Sequence, residues 1–373
     1  MFDQLKRMNL TNRKVIENDS FVRSIDFNGH DSLSAIVALK LQVLDALSLV
    51  SKREFTVKKL SVDNAPSGIR YVNPNCLISS AADGYIRVWD ERTEEPALTL
   101  ASTTRPEANE ELKPLLCCDA SLDECTVAAG SEAVKEDAFV LFWDIRMSKQ
   151  LMGGYWDSHS KDITQVRFHP EKKFVLATGA VDGLVNVFDL EESSEDDAIQ
   201  YTLNVECAVD NLSWLPQSSQ GVDRLGVTTT EEEFQLWEAE EAEPSLRHNR
   251  ESLQKGNIDV SVDHIVCSCN IDSDIGFISS NNDGCVDIWS ATGVHVSSLG
   301  NGSQKKSSRH RDLVKTAVIH ATDGSCTVWT SGDDGIICRW LSETKQIDAE
   351  HNEDRKMESE PKARIKKNRS RPY

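Results

Sequence analysis

His310, Ser331 and Asp334, near the end of this 373-residue chain, are the residue types of a nucleophilic triad, and His159, Thr178 and Asp182 repeat the set earlier. In such a triad the imidazole takes a hydroxyl proton while the carboxylate holds the ring. The chain offers little else for that chemistry. It has no G-x-S-x-G turn, no H-E-x-x-H, no glycine-rich phosphate loop and no Cys and His spacing for a metal site. The ten cysteines are dispersed without a C-x-x-C pair, as expected of buried reduced thiols rather than a disulfide framework. No catalytic, cofactor-binding or metal-binding residue is therefore expected, and the triad-like sets need another explanation.

That explanation comes from the elements around them. An acid followed, usually, by a small residue and, six positions after the acid, by an aromatic recurs as Asp83 to Trp89, Asp137 to Trp143, Asp182 to Phe188, Asp283 to Trp289 and Asp334 to Trp340, with a variant from Glu231 to Trp237. Each stretch reads as a tight turn followed by a strand. Upstream of Asp182, Ile163–Phe168 alternates cleanly and Phe174–Gly179 is an apolar run of strand length, so each unit holds several antiparallel strands. The anchors lie 54, 45, 49, 52 and 51 residues apart, near the ~40–45 residue period of propeller blades plus loop insertions.

One small sheet buries too little to stand alone, so units of this kind must pack face to face in a ring. The chain is thus expected to be an all-β, WD-repeat-type β-propeller, with one domain over residues 1–345 and a disordered tail over 346–373. Six units are anchored as above. A seventh, degenerate one is expected at about 19–56, where Phe21–Phe27 and Leu33–Leu39 read as strands and Asp45, 38 residues before Asp83, reads as the turn acid of a strand lacking its aromatic. Seven blades is the favoured number, with six and eight its neighbours. A strand from Arg13 to Glu17 is expected to close the ring, since Lys14-Val15-Ile16 is the apolar stretch ahead of the first blade.

The motifs resemble the WD-repeat family, most strongly over about residues 130–200, where Asp137–Met147, Ser158–Pro170 and Asp182–Asp189 match its central blades. The resemblance implies that His310, Ser331, Asp334 and Trp340 form a buried structural hydrogen-bond network, and that His159, Thr178 and Asp182 do so in the fourth blade, shortened because Phe188 cannot donate. Trp237, without recognisable His or Asp partners, should matter less than Trp340. The resemblance further implies a non-enzymatic scaffold that binds other proteins, as a monomer within a complex. Two W-D-x-R motifs, carrying Asp90 with Arg92 and Asp144 with Arg146, resemble those by which some WD-repeat proteins dock on a ubiquitin-ligase adaptor. A substrate receptor of a cullin-RING ligase is therefore the alternative reading. The plainer one is that each Asp and Arg pin the turn after the strand, a surface pair of small energetic worth.

Charge divides the chain. At a net −20 the body should repel nucleic acid and anionic membranes, and no apolar run reaches the ~18 residues of a membrane-spanning helix. The charged first thirty residues lack the apolar core of a secretory signal, so an intracellular protein is expected. Acids concentrate at Glu191–Asp197 and at Glu231–Glu243. Ser193 and Ser194 each have an acid three residues on and are candidate phosphorylation sites, which phosphopeptide mapping reads directly. The tail reverses sign: Lys362–Arg371 holds six bases and no acid, the composition of a nuclear address or a nucleic-acid contact. Nuclear, including nucleolar, or cytoplasmic residence follows from whether that run is read. Removing residues 361–373 is expected to move a tagged protein toward the cytoplasm, and an unchanged distribution by microscopy would discard the tail as an address.

Overall fold

The computed structural model describes residues 8–16, 20–56, 65–103, 112–147, 151–256, 260–271, 274–299, 310–322 and 325–342. They belong to one compact unit, Met1–Glu343. The basic tail lies outside the described residues.

Among the described residues every strand falls into one of seven four-stranded antiparallel sheets, the blades of a β-propeller. The chain opens with β1 (Met8–Val15) and then lays down blade one as β2 (Val22–Phe27), β3 (Ser32–Val37), β4 (Lys40–Asp45) and β5 (Ser51–Thr56). Blade two is β6 (Pro66–Asn73), β7 (Cys76–Ala81), β8 (Tyr85–Asp90) and β9 (Leu98–Ala101). Blade three is β10 (Leu115–Ala120), β11 (Thr126–Ser131), β12 (Val140–Asp144) and β13 (Leu151–Tyr155). Blade four is β14 (Ile163–Phe168), β15 (Val175–Ala180), β16 (Leu184–Asp189) and, after the single turn α1 (Glu195–Ala198), β17 (Ile199–Asn204). Blade five is β18 (Val209–Leu215), β19 (Arg224–Thr229), β20 (Glu233–Glu238) and β21 (Leu246–Asn249), followed by α2 (Arg250–Gly256). Blade six is β22 (His264–Ile271), β23 (Asp274–Ser280), β24 (Val286–Ser290) and β25 (His295–Leu299), and blade seven is β26 (Val314–Thr322), β27 (Ser325–Gly332) and β28 (Ile336–Ser342) completed by β1.

The Asp-Gly pairs form turns between the second and third strands, with Gly84, Gly183, Gly284 and Gly335 all at positive φ. At Gly284 an added Cβ would also collide with the His310 carbonyl, so the turn admits no larger residue without rearrangement. Two anchors are corrected. In blade three the positive-φ residues are Lys135 and Glu136, and Asp137 instead closes the excursion through a bridge to Val134. In blade one the turn is Ala38-Leu39, between Val37 and its partner Lys40. Asp45 there ends the third strand, where Asp90, Asp144 and Asp189 stand in their blades, and Leu44 fills the aromatic position. Residues 46–48 are a turn, not the strand expected after an anchor acid.

The aromatics of the third strands, Trp89, Trp143, Phe188, Trp237, Trp289 and Trp340, are all buried at the faces where blades meet. The cores are inter-blade: Trp340 packs with Val266, Ile278 and Leu299 of blade six, and Trp143 with Ile78, Ile86 and Leu100 of blade two. Every inner strand carries a bulge within two residues of the same end. The register jumps at Val22/Ser24, Pro66/Gly68, Leu115/Cys117, Ile163/Gln165, Val209/Asn211, Ile265/Cys267 and Val314/Thr316. The extra residue in each, from Arg23 in blade one to Lys315 in blade seven, lines the central channel.

The closing strand begins earlier and runs longer than expected. β1 pairs antiparallel with β28 from Met8↔Ser342 to Val15↔Ile336, and Thr11 Oγ1 donates to the Arg339 carbonyl at 3.1 Å. Deleting residues 1–15 would expose the β28 edge and open the ring. Calorimetry is expected to show a lower, broader unfolding transition for that truncation, and an unaltered melt would show that β1 does not hold the ring shut.

Candidate functional site

In blade seven the loop before β26 and the turn before β28 bring His310 and Asp334 together. His310 Nδ1 lies 3.1 Å from an Asp334 oxygen and Nε2 2.8 Å from Thr330 Oγ1, while Trp340 Nε1 donates to the same hydroxyl at 2.9 Å. Asp334 also accepts from the backbone N–H groups of Arg311 and Ile336 at 2.8 and 3.1 Å, locking loop to turn. Burial opposes charge on His310, yet the Cys338 sulfur and the Asp334 carboxylate outweigh it and hold the pKa up at about 9. Asp334 is held below the usual carboxylate range by the same pairing, against its own burial. Both ring nitrogens are thus taken up inside the blade, by Asp334 on one side and by the hydroxyl that Trp340 also uses on the other.

The hydroxyl in this set is Thr330, not Ser331, whose Oγ is buried without a hydrogen-bond partner among the described residues. The reason is strand periodicity. A residue ten positions before the aromatic faces its indole, as Ser79 Oγ does for Trp89 at 3.0 Å and Ser279 Oγ for Trp289 at 2.8 Å. Ser331 is nine before Trp340 and points to the opposite face. That spacing of ten was the readable signal for Thr330.

Blade four repeats the arrangement. His159 Nδ1 sits 3.2 Å from Asp182 and Nε2 2.7 Å from Thr178 Oγ1. Phe188 cannot donate, and Asn186 Nδ2 takes up the free end, 2.8 Å from the Ser158 carbonyl and 3.3 Å from His159 Nε2. Blade five builds a substitute network that sequence reasoning missed. Trp237 Nε1 donates to Gln235 Oε1 at 2.9 Å, and Gln235 Nε2 to the Val205 carbonyl at 3.2 Å. Trp237 is thus as enclosed and as bonded as Trp340, which removes the ground for ranking it as the weaker anchor.

The W-D-x-R motifs lie at the ends of β8 and β12. Asp90 accepts from the Arg92 backbone N–H, Nε and Nη2 at 2.9, 2.8 and 2.6 Å, and Asp144 from the same atoms of Arg146 at 2.9, 3.0 and 2.6 Å. These bonds hold each carboxyl down at about 2. Both guanidinium groups remain largely in solvent, with side chains 75% and 68% exposed. In the acidic segment of blade four, Ser194 caps α1: its hydroxyl accepts from Asp197 N and donates to the Asp197 carboxylate at 2.7 Å. Ser193 is exposed. Glu195 takes the backbone N–H groups of Trp156, Asp157 and Ser158 at 2.8, 3.0 and 2.9 Å, so part of this acidity is structural.

Inner strands carry a second charged set, of which Asp26, Arg70 and Arg167 line the channel and Asp119 is largely buried. Asp26 and Asp119 accept the N–H groups of Tyr71 and Phe168 in the following blades at 2.7 and 2.8 Å, and burial raises both carboxyls. Burial, with Arg70 nearby, lowers Arg167 to about 10. Among the described residues no group of His, Cys, Asp and Glu is arranged to hold a metal ion.

The WD domain, G-beta repeat family model matches residues 58–90 and 152–189, which fall on blades two and four. With seven four-stranded blades in a ring, this decides the assignment. The chain is a WD-repeat protein. It is similar to the WD repeat-containing protein GTS1 of Arabidopsis thaliana, 28% identical over 313 residues, covering 81% of this chain and 75% of that one. It is also similar to the WD repeat-containing protein 89 homolog of Dictyostelium discoideum, 28% identical over 156 residues, covering 42% of this chain and 39% of the homolog. In this WD-repeat protein, Thr330→Val removes the acceptor of Trp340 and the hydrogen-bond partner of His310 and is expected to cost about 1–3 kcal/mol. Ser331→Ala, losing only an unpartnered hydroxyl, should stay within about 0.5 kcal/mol of the parent in denaturant titrations. Equal losses would show that the network does not pass through Thr330.

Proposed function

We propose that this WD-repeat protein is a non-enzymatic scaffold that holds other proteins on its rims and at its channel mouth. The observation that carries this reading is the commitment of the triad-like sets to the fold: both ring nitrogens of His310 are engaged, by Asp334 and by Thr330, and Thr330 Oγ1 serves an indole as well as that imidazole. Propellers of this kind generally mediate protein interactions, a fold-level analogy that supports the reading without naming a partner. A second reading, a substrate receptor of a cullin-RING ubiquitin ligase, is favoured by one feature. Arg92 and Arg146 are ordered by their aspartates yet exposed, and they leave equivalent turns of adjacent blades.

Affinity purification from cells with mass spectrometry tests both. A scaffold should recover a reproducible set of proteins absent from controls, and a set indistinguishable from control would refute it. The ligase reading requires the adaptor in that set and its loss in the double variant Arg92→Ala/Arg146→Ala with the propeller still folded. Adaptor-free complexes would leave the scaffold and remove the receptor.

A further inference from the structure

The inner-strand bulges do different things around the ring. In blades two and four the extra residue straps neighbours together, with Ser67 Oγ donating to the Leu115 carbonyl at 2.7 Å and Thr164 Oγ1 to the Val209 carbonyl at 2.6 Å. In blade five the extra residue is Asp210, which lines the channel cavity of about 600 Å³ and whose carboxylate has no hydrogen-bond or ion-pair partner among the described residues. Gln165 lies against it. Its Nε2 donates to the Asp210 carbonyl at 2.7 Å, which leaves Oε1 buried and unpartnered. His264, on the same wall, commits Nδ1 to Glu232 at 3.1 Å, and its Nε2 has no partner among the described residues.

These are acceptors without hydrogen-bond donors among the described residues, and burial pushes the Asp210 carboxyl above its usual range against the pull of His264 and Lys315. A water-filled channel can hydrate them singly, but together they match a group with several N–H donors, no acceptor and a positive charge. A guanidinium has five such donors in a fixed plane. The arc beyond blade six has the reverse character: the bulge residues of the adjacent blades seven and one are Lys315 and Arg23, both exposed, and Lys315 is near enough to act on the Asp210 carboxyl. On a protein of net charge −20, a two-signed mouth selects a ligand by its polarity rather than its overall charge.

We propose that the channel mouth binds an arginine side chain of a partner protein, its guanidinium on Asp210 and Gln165, with an acidic residue beside that arginine meeting Lys315 and Arg23. This rests on the scaffold reading and specifies its site. The Asp210 carboxylate makes no bond between blades, and its backbone carbonyl keeps the Gln165 bond in either variant, so Asp210→Asn should leave the melting temperature unchanged or raised while abolishing the interaction.

The test is calorimetric titration of the full chain with the capped peptide Gly-Arg-Glu-Gly and its citrulline counterpart. Saturable binding near ~1 mM or tighter is expected for the arginine peptide, weakened about tenfold or more by citrulline and by Asp210→Asn, the scale of a lost charge-assisted contact. Lys315→Glu should weaken binding of the same peptide and leave the fold intact. Binding that survives Asp210→Asn in a variant melting like the parent would overturn the site, as would no saturation by ~10 mM. If cellular partners are captured equally by the parent and Asp210→Asn, the scaffold stands and this site falls.

Discussion

A four-stranded sheet of this size cannot keep itself folded, and each blade here survives because both its faces are covered by neighbours. The constraint is cyclic. Trp143 of blade three needs Ile78 and Leu100 of blade two, and Trp329 of blade seven donates across the seam to the Ala46 carbonyl of blade one at 2.9 Å while packing with Val22 and Leu33. No blade is terminal, so the stabilisation is shared around the ring, and β1 pairing with β28 makes it circular. The polar networks work within that frame. They fix loop to turn in blades four and seven, where a histidine, a hydroxyl and an aspartate are available, and a glutamine does comparable work in blade five.

Much of the architecture was legible because the hairpin turn and the aromatic have local causes. A glycine at positive φ and a bulky side chain six residues after the acid both leave marks in the sequence, so six blades could be counted from them. Blade one was misregistered because its turn, Ala38-Leu39, has no Asp-Gly and its strand has Leu44 for an aromatic, which made Asp45 the nearest acid in view. In blade three the Lys135-Glu136 excursion displaced the turn from Asp137. The choice of Ser331 over Thr330 was an error of one residue, and in a strand one residue is the whole difference between two faces.

The channel was not legible at all. Each inner strand gains a residue at its bulge, so alternation counted from one side fails on the other, and nothing in Asp210 or Gln165 as residue types marks them as neighbours across two blades. Charges on the inner strands likewise read as ordinary polar positions, although Asp26 and Asp119 reach into the next blade to accept a backbone N–H. Their pairing depends on one blade having packed against the next, which no local pattern encodes.

Closure by β1 also has a consequence in time. Thr11 and its partner Arg339 are 328 residues apart, so at translation rates of ~5–20 residues per second the first strand waits roughly 15–65 s for its partner to be synthesised. An apolar strand left unpaired that long would be an aggregation hazard. The sequence of β1, Met-Asn-Leu-Thr-Asn-Arg-Lys-Val, is mostly polar, and none of its residues is fully buried even in the finished ring. The strand that is made first and paired last is thus one that water can hold in the meantime.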